Sequence, residues 1–327
     1  MTKDQVLSLL DSSAYISGQT ISRQLGVSRA AVWKAIQQLR DEGYTVESST
    51  TRGYRLTGCP DVLDRTVLQH RLGPHPWAAQ LVVLDTVDST NTFAKALAAQ
   101  GAPHGTVVIS DHQTGGKGRR GRSFVSPKGK GVYLSVILRY EVPPDRLLHL
   151  TCVAAEAVRR AVLEVSGLES GIKWTNDLVF EQKKLCGILT ELSVVAETGL
   201  TDYIVCGAGV NCSQLPEDFP PEVAAMATSM LQCGRPVERS ALTAAMIRQL
   251  HTAAGDLLTA PKVWMDGYRA HCVTLGKDVK IVRGEEETLA HVDGMDDQGA
   301  LLVTRTDGTK ETVFSGEVSV RGMYGYL

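Results

Sequence analysis

The chain has no C-x-x-C pair, and its seven cysteines (Cys59, Cys152, Cys186, Cys206, Cys212, Cys233 and Cys272) are odd in number and scattered over 327 residues. A disulfide framework or a zinc site is therefore not expected. The thiols read as small apolar residues in a reducing compartment. Long apolar runs are missing too: stretches such as GVYLSVIL (131–138) are far too short to span a bilayer. The opening MTKDQVLSLLDSSAY lacks the apolar core of a signal peptide, so a cytoplasmic location and no membrane partner are expected. There is no overall positive charge. The formal net charge of -2 excludes a protein that coats nucleic acid along its whole length, so any DNA contact must be local. No internal repeat or low-complexity tract occurs. What is present is a 43% hydrophobic content, enough for real cores, on a length that predicts two or three domains.

One absence is local. Residues 112–131 contain no acid, and inside them GGKGRRGRSF (115–124) alternates Lys117, Arg119, Arg120 and Arg122 with glycines. Glycine lets backbone approach a ligand closely, and arginine binds phosphate or carboxylate in a fork. Gly116, Gly118 and Gly121 match G-x-G-x-x-G, but that fingerprint needs a following helix, which SPKGKG (126–131) breaks. A phosphate-binding P-loop fails as well, because Gly118 follows Lys117. A solvated basic loop and an anion-wrapping ligand loop both stand at this point.

Residues 1–57 have a pattern of their own. MTKDQVLSLL predicts a helix with Val6, Leu9 and Leu10 inward, and ISGQTISRQLG a short helix ending at Gly26. Ser28 is placed to N-cap a third helix that turns Val32, Ile36 and Leu39 to the core. Arg29, Ala30, Trp33, Lys34 and Gln37 fall on the other side. YTVES and GYRL predict a hairpin wing carrying Arg52 and Arg55. This is the outline of a helix-turn-helix whose DNA contacts would come from Ser28, Arg29, Lys34 and Arg52. The competing account is a three-helix packing or dimerisation module. Cations on both the third helix and the wing favour DNA. Gly58-Cys59-Pro60 marks the expected boundary.

Three further stretches stand out. QLVVLDTV predicts a strand, after which Ser89, Thr90 and Asn91 open a helix, either as ordinary caps or as a hydroxyl-lined contact. IKWTN and LVF are strand-like, and KLCGILTEL resumes a strand at Lys184 after a turn at Gln182 and Lys183. Lys184 is either a snorkelling surface lysine or a cation that stabilises developing phosphate charge. YIVCGAGVNCS (203–213) is an apolar strand in which Gly207 and Gly209 permit close approach. RLLHLTCVAAEAVRRAVLEVSG (146–167) predicts a long covering helix, and VKIV, TLAHVDGM, ALLVTR and ETVFS predict short C-terminal strands.

In this order, DSTN (88–91), GKGRRGR (116–122), KWTND (173–177) followed by KKLCGIL (183–189), GAGVN (207–211) and GEVSVR (316–321) resemble the bifunctional biotin–protein ligase and biotin-operon repressor family, the biotin–[acetyl-CoA-carboxylase] ligases. The resemblance covers nearly the whole chain. It implies an α+β fold: a winged helix-turn-helix over 1–60, a class II synthetase-like ligase core of mixed sheet with helices over 61–270, and an SH3-like β-barrel over 271–327. It implies that biotin and ATP, with Mg²⁺ and no tightly bound metal, give biotinyl-5′-AMP. Biotin then passes to a lysine of the biotin carboxyl carrier protein of a biotin-dependent carboxylase. The adenylate would also act as corepressor, joining two protomers on operator DNA.

By the same resemblance, Ser89, Thr90 and Gln113 bind biotin's ring, with Asn91 beside them. Lys117, Gly118 and Arg119 wrap the biotin carboxyl and the α-phosphate, and Gly116, Arg120 and Arg122 contact phosphates. Lys184 binds the α-phosphate next to the biotin carboxyl and is catalytic together with Arg119. Asp177 holds Mg²⁺ or orients the incoming lysine, Asn211 lies near the adenylate, and Arg321 lies near the triphosphate. Three departures appear: Lys117 stands where the family usually has arginine, Phe124 replaces a common tryptophan, and Thr175 replaces a common proline, which should loosen its turn. A lipoate or octanoate transferase, and a non-enzymatic DNA-binding sensor, are the alternatives. The first normally lacks such a loop, and Lys184 with the intact loop argues against the second.

Overall fold

Ser17 and Ser28 each begin a helix by accepting a backbone N–H on the hydroxyl, from Thr20 at 3.0 Å and Ala31 at 3.1 Å. These caps set α2 (Gly18–Leu25) and α3 (Arg29–Asp41), which follow α1 (Thr2–Leu9). Gly26 closes α2 in the left-handed conformation at φ 65°. Two strands, β1 (Thr45–Ser49) and β2 (Gly53–Gly58), pair antiparallel as the wing. The computed structural model describes residues 2–10, 14–314 and 319–322.

The chain divides into two compact units, Met1–Pro74 and His75–Leu327. In the first, Val6, Leu7, Leu10, Val32, Ile36 and Leu39 form one core, so Leu7 rather than Leu9 is the fully buried member of that α1 turn. The unit runs past residue 60 because α4 (Arg65–Leu72), capped by Asp64, adds Val67 to this core.

The second unit is built on a seven-stranded mixed sheet of order β3-β4-β5-β9-β8-β7-β6. Its strands are β3 (Leu81–Val87), β4 (Thr106–Gln113), β5 (Gly131–Leu138), β6 (Gly171–Lys173), β7 (Asp177–Phe180), β8 (Lys183–Val194) and β9 (Thr201–Asn211). Only β3 and β4 run parallel; every other neighbouring pair is antiparallel. Side-chain alternation along β5 explains its unbroken apolar run. Ile137 packs with Ala94 and Ala98 of α5 (Thr90–Ala99), whereas Val136 and Leu138 face Val153 of α6 (Leu150–Ser166). After the short α7 (Pro221–Ala224), α8 (Arg239–Asp256) and α9 (Lys262–His271) pack against α6.

Two local expectations are corrected. The first strand of KWTND stops at Lys173, and Trp174, Thr175 and Asn176 form a turn with a cis Trp174–Thr175 bond. The long helix starts at Leu150, not Arg146, because Pro143 and Pro144 direct a 3₁₀ turn over Pro144–Leu147.

The C-terminal strands β10 (Asp278–Arg283), β11 (Glu286–Met295), β12 (Leu301–Arg305), β13 (Lys310–Val313) and β14 (Ser319–Gly322) form an antiparallel sheet of order β13-β12-β11-β10-β14. No pairing closes β13 onto β14 among the described residues.

Candidate active site

Strand β3 delivers Asp88-Ser89-Thr90-Asn91 to the start of α5. Ser89 occupies the N-cap position, yet its hydroxyl makes no capping bond. It is 2% exposed and lines a cleft with Thr90, Asn91, Gln113, Lys117 and Phe124. Ordinary capping therefore does not account for it.

A network of buried amides and hydroxyls braces this cleft. Gln113 Oε1 accepts from Thr90 N at 2.8 Å and Thr90 Oγ1 at 3.1 Å, while its Nε2 donates to Ser126 Oγ at 2.8 Å. Ser135 Oγ lies 2.8 Å from Thr90 Oγ1 and 2.6 Å from Asn91 Oδ1. Asn91 Nδ2 donates to Leu189 O at 3.2 Å and Glu191 Oε2 at 2.9 Å. Burial pushes the Glu191 carboxyl up, but hydrogen bonds from Lys95 and Asn91 outweigh it and leave the group below its usual value.

The strand glycines are needed where these side chains land. A Cβ on Gly207 would sit 2.0 Å from Asn91 Oδ1, and one on Gly209 would sit 2.6 Å from the Phe124 ring. Gly209 pairs across the sheet with Gly187, whose Cβ would meet Phe124 at 3.3 Å. The Phe124 ring thus lies over a matched pair of glycines on β8 and β9.

The glycine–arginine stretch is a folded hairpin, not a loose solvated loop. Gly118 N donates to Arg122 O at 2.7 Å and Phe124 N to Gly116 O at 2.8 Å. Gly116 tolerates no side chain, since a Cβ there would lie 2.3 Å from Phe124 O. Arg120 takes a left-handed φ of 56° at the tip. Lys117, Arg120 and Arg122 are exposed, whereas Arg119 turns inward. Its Nη1 donates to Thr175 Oγ1 at 2.8 Å and Asn176 Oδ1 at 3.1 Å. Burial lowers its pKa while Asp177 opposes that shift, and the guanidinium stays charged. The Thr175 turn is not loosened by the loss of proline: its hydroxyl holds Arg119, and its carbonyl accepts Tyr268 Oη at 3.1 Å.

Lys184 is not a snorkelling surface lysine. Its Nζ pairs with Asp177 Oδ1 at 2.7 Å and lies 5.8 Å from the Phe124 ring centre. Its backbone is clamped by Met226 O at 2.7 Å and Thr228 N at 2.8 Å. A second cleft, of about 240 Å³, is lined by Arg119, Arg120, Thr151, Thr175 and Thr190, and shares Leu189 with the first. An apolar-and-amide pocket and an arginine-lined cleft therefore adjoin, with Lys184 bordering the first.

One expected site residue lies apart from both clefts, and one lies outside the described side chains. Asn211 lines neither cleft. Its Nδ2 donates to Thr228 O at 2.9 Å and its Oδ1 accepts from Gln214 at 3.1 Å, tying down the segment that clamps Lys184. Arg321 falls in β14 opposite Lys280, and its side chain lies outside the described residues.

Residues 83–211 match the Biotin/lipoate A/B protein ligase family, 2–55 an HTH domain, and 274–321 the Biotin protein ligase C terminal domain. The bifunctional ligase/repressor BirA of Bacillus subtilis is 34% identical over 312 residues, covering 94% of each chain. This chain belongs to the bifunctional biotin–protein ligase and repressor family. The BirA of Escherichia coli is 30% identical and covers 97% of this chain and 96% of its own. The biotin protein ligase of Aquifex aeolicus, solved with biotin and ATP, superposes with a TM-score of 0.63 at 28% identity, over 74% of this chain and 99% of its own.

The family's HTH segment presents Arg29, Ala30, Trp33 and Lys34 to solvent along α3, with Trp33 58% exposed. Ser28 uses its hydroxyl on the cap, and Gln37 is half-buried. Arg52 in the wing stacks over Tyr15 at 4.2 Å. Arg55 lies 4.8 Å from the same ring and pairs with Glu47 at 2.7 Å.

Ser135, Ser126, Thr151 and Thr190 were not anticipated from the sequence. Ser135 had a signal: a hydroxyl inside the apolar GVYLSVIL must find a buried partner. Thr151 and Thr190, whose hydroxyl oxygens lie 2.6 Å apart, had none. No helix among the described residues is long and apolar enough to cross a membrane.

Proposed function

We propose that this chain joins biotin to ATP, giving biotinyl-5′-AMP and pyrophosphate, and then transfers biotin to a lysine of a biotin carboxyl carrier protein. The observation that carries this is the junction of the two clefts. A pocket of buried amides and hydroxyls for a neutral polar ring meets an arginine-lined cleft for a polyanion, with the Lys184 ammonium 5.8 Å from the Phe124 ring that lines the first.

Both reactants are anionic, so bringing a carboxylate to the α-phosphorus needs local positive charge. Ser89 offers an uncommitted capping hydroxyl to the biotin ring, beside Thr90, Asn91 and Gln113. Lys117, Gly118 and Arg119 hold the carboxylate and α-phosphate. Gly116, Arg120, Arg122 and Arg321 serve the phosphates. As the carboxylate oxygen attacks the α-phosphorus, pyrophosphate leaves, and Lys184 and Arg119 stabilise the developing charge. The hairpin and the Phe124 ring keep water from the acyl-adenylate. In the second half-reaction a neutral lysine amine of the carrier attacks the acyl carbon, and AMP departs. Asp177, beside Lys184, orients the cations and the incoming amine.

Mg²⁺ is assigned to the incoming triphosphate rather than to a resident cage. Among the described residues no group of three or more His, Cys, Asp or Glu side chains could hold a metal, and Asp177 is already paired with Lys184. Asn211 acts from behind, through the clamp on Lys184. The C-terminal sheet is assigned to an SH3-like barrel over 271–327, after the core over 61–270 and the winged helix over 1–60. The setting is the cytoplasm.

Exchange of labelled pyrophosphate into ATP tests the enzyme. Exchange should require biotin; exchange with lipoate or octanoate instead would reassign the substrate, and none with any acid would leave a binding protein.

The same chain is assigned a repressor's role, in which adenylate-bound homodimers place two α3 helices on operator DNA. Arg29→Ala is expected to weaken binding to DNA fragments selected with the biotin- and ATP-loaded protein by about tenfold. Lys34→Ala should reduce the salt dependence of binding by about one unit of slope. Unchanged binding after joint replacement of Arg29, Lys34 and Arg52 would remove the DNA role.

A further inference from the structure

The geometry points to Thr175 as a positioning residue: its buried hydroxyl holds the Arg119 guanidinium in the arginine-lined cleft. Its kinetic consequence rests on the adenylation proposed above; its structural consequence does not.

Thr175 is 2% exposed, and its Oγ1 accepts Arg119 Nη1 at 2.8 Å. The turn that carries it is fixed from several elements. Tyr268 of α9 donates to Thr175 O at 3.1 Å. Trp174 N donates to Thr274 Oγ1 at 3.0 Å, and Trp174 Nε1 to Gly299 O at 2.8 Å. Asn176 Nδ2 donates to Ile188 O at 2.8 Å, and Ile188 N to Asn176 O at 2.8 Å. All three turn residues are therefore pinned by groups remote in sequence. Arg119 extends into this socket from a hairpin whose other cations, Lys117, Arg120 and Arg122, face solvent.

The contact ties the solvent-facing basic hairpin to one of the most constrained turns of the site. A hydrogen bond from a charged donor to a buried acceptor is among the stronger single contacts available. Ordering an arginine before binding removes that cost from substrate capture. Thr175 stands where the resembled family commonly has proline, which has no hydroxyl to offer, so the latch belongs to the threonine this chain carries.

The test uses Thr175→Val, which removes the acceptor and keeps the shape, and Thr175→Ser, which keeps the acceptor and drops the methyl. Trypsin reads the latch directly, because Lys117, Arg119, Arg120 and Arg122 are all cleavage points. Without substrates, the valine variant should be cut within 117–122 about tenfold faster than wild type, in line with the loss of one charge-assisted hydrogen bond. In biotin-dependent exchange, its kcat/KM for ATP should fall by about tenfold. The serine variant should match wild type in both. Equal cutting of valine and wild-type proteins overturns the latch. A serine variant that behaves like valine overturns it too, by assigning the effect to packing. An unchanged kcat/KM for ATP in the valine variant overturns the kinetic role. Should the valine variant fail to fold by circular dichroism, Thr175→Ala takes its place. Should wild type show no exchange with any acid, adenylation fails and the tryptic comparison alone decides the latch.

Discussion

Lys184→Ala is expected to lower the rate of biotin-dependent pyrophosphate exchange by about 10²–10³-fold, the cost of removing one preorganised charge from a transition state. The expectation follows from where the ammonium sits. It is the second residue of β8, with its backbone clamped between Met226 and Thr228, so the side chain starts from a fixed point. Its Nζ rests on Asp177 at 2.7 Å, which aims it in a partly buried setting. A cation so held costs little reorganisation when negative charge grows on the α-phosphate. Lys184→Arg should recover only part of the rate, since a planar fork does not reproduce a point charge at that position. Biotin affinity, measured by calorimetry without ATP, should change far less than turnover. A Lys184→Ala enzyme within about threefold of wild type would remove Lys184 from the mechanism and return it to a structural pair with Asp177.

The second large effect concerns stability. Glu156→Ala should destabilise the second unit by about 3–5 kcal/mol, the usual cost of stripping one partner from a buried ion pair. Glu156 is 1% exposed in the middle of α6. It accepts Arg159 Nε at 2.7 Å, Arg159 Nη2 at 3.0 Å and Arg160 Nε at 2.7 Å. Without the carboxylate, the buried Arg159 guanidinium loses its close bidentate partner. The exposed Glu169 carboxylate, 3.6 Å away, is a weak substitute. The same carboxylate joins two helices, because Arg160 also donates to Val263 O at 3.2 Å and stacks over Trp264 at 4.3 Å. Gly267 of α9 permits this approach, since a Cβ there would lie 2.5 Å from Glu156 Oε1. Thermal unfolding should fall by roughly 10 °C, at about 2–4 °C per kcal/mol for a unit of this size. Joint replacement of Glu156 and Arg159 by methionine should restore much of the loss, because no fully buried charge is left unpaired and Arg160 is partly exposed. A Glu156→Ala protein with unchanged unfolding would show that the charges find water or another partner.

The helix-turn-helix was legible in its caps and in the stripe of its third helix, though not in α1, where Leu7 takes the core place expected of Leu9. Ser28, the Val32–Ile36–Leu39 stripe and Gly26 all act locally, within a turn or two of chain, and local chemistry needs no knowledge of the rest of the fold. The order of motifs was legible for the same reason. Lys184 and the glycine–arginine stretch could each be recognised, but with a bland alternative open beside them. Tertiary contacts closed those alternatives. The Ser89 hydroxyl proved not to cap its helix, Lys184 turned onto Asp177, and the basic stretch folded into a hairpin with Arg119 inward.

By itself the sequence determined the element types, the basic loop, the glycines that must yield to side chains and the family. Each follows from short-range chemistry or from motifs read in order. Only the tertiary structure decided which polar groups meet. Asn91 reaches Leu189 and Glu191 across about a hundred residues of chain, Ser135 supports Thr90, and Thr175 receives Arg119. Those pairings depend on strand register and on the turn that three distant elements hold in place. A buried hydroxyl announces that it needs a partner, but the partner's identity exists only once the sheet has formed.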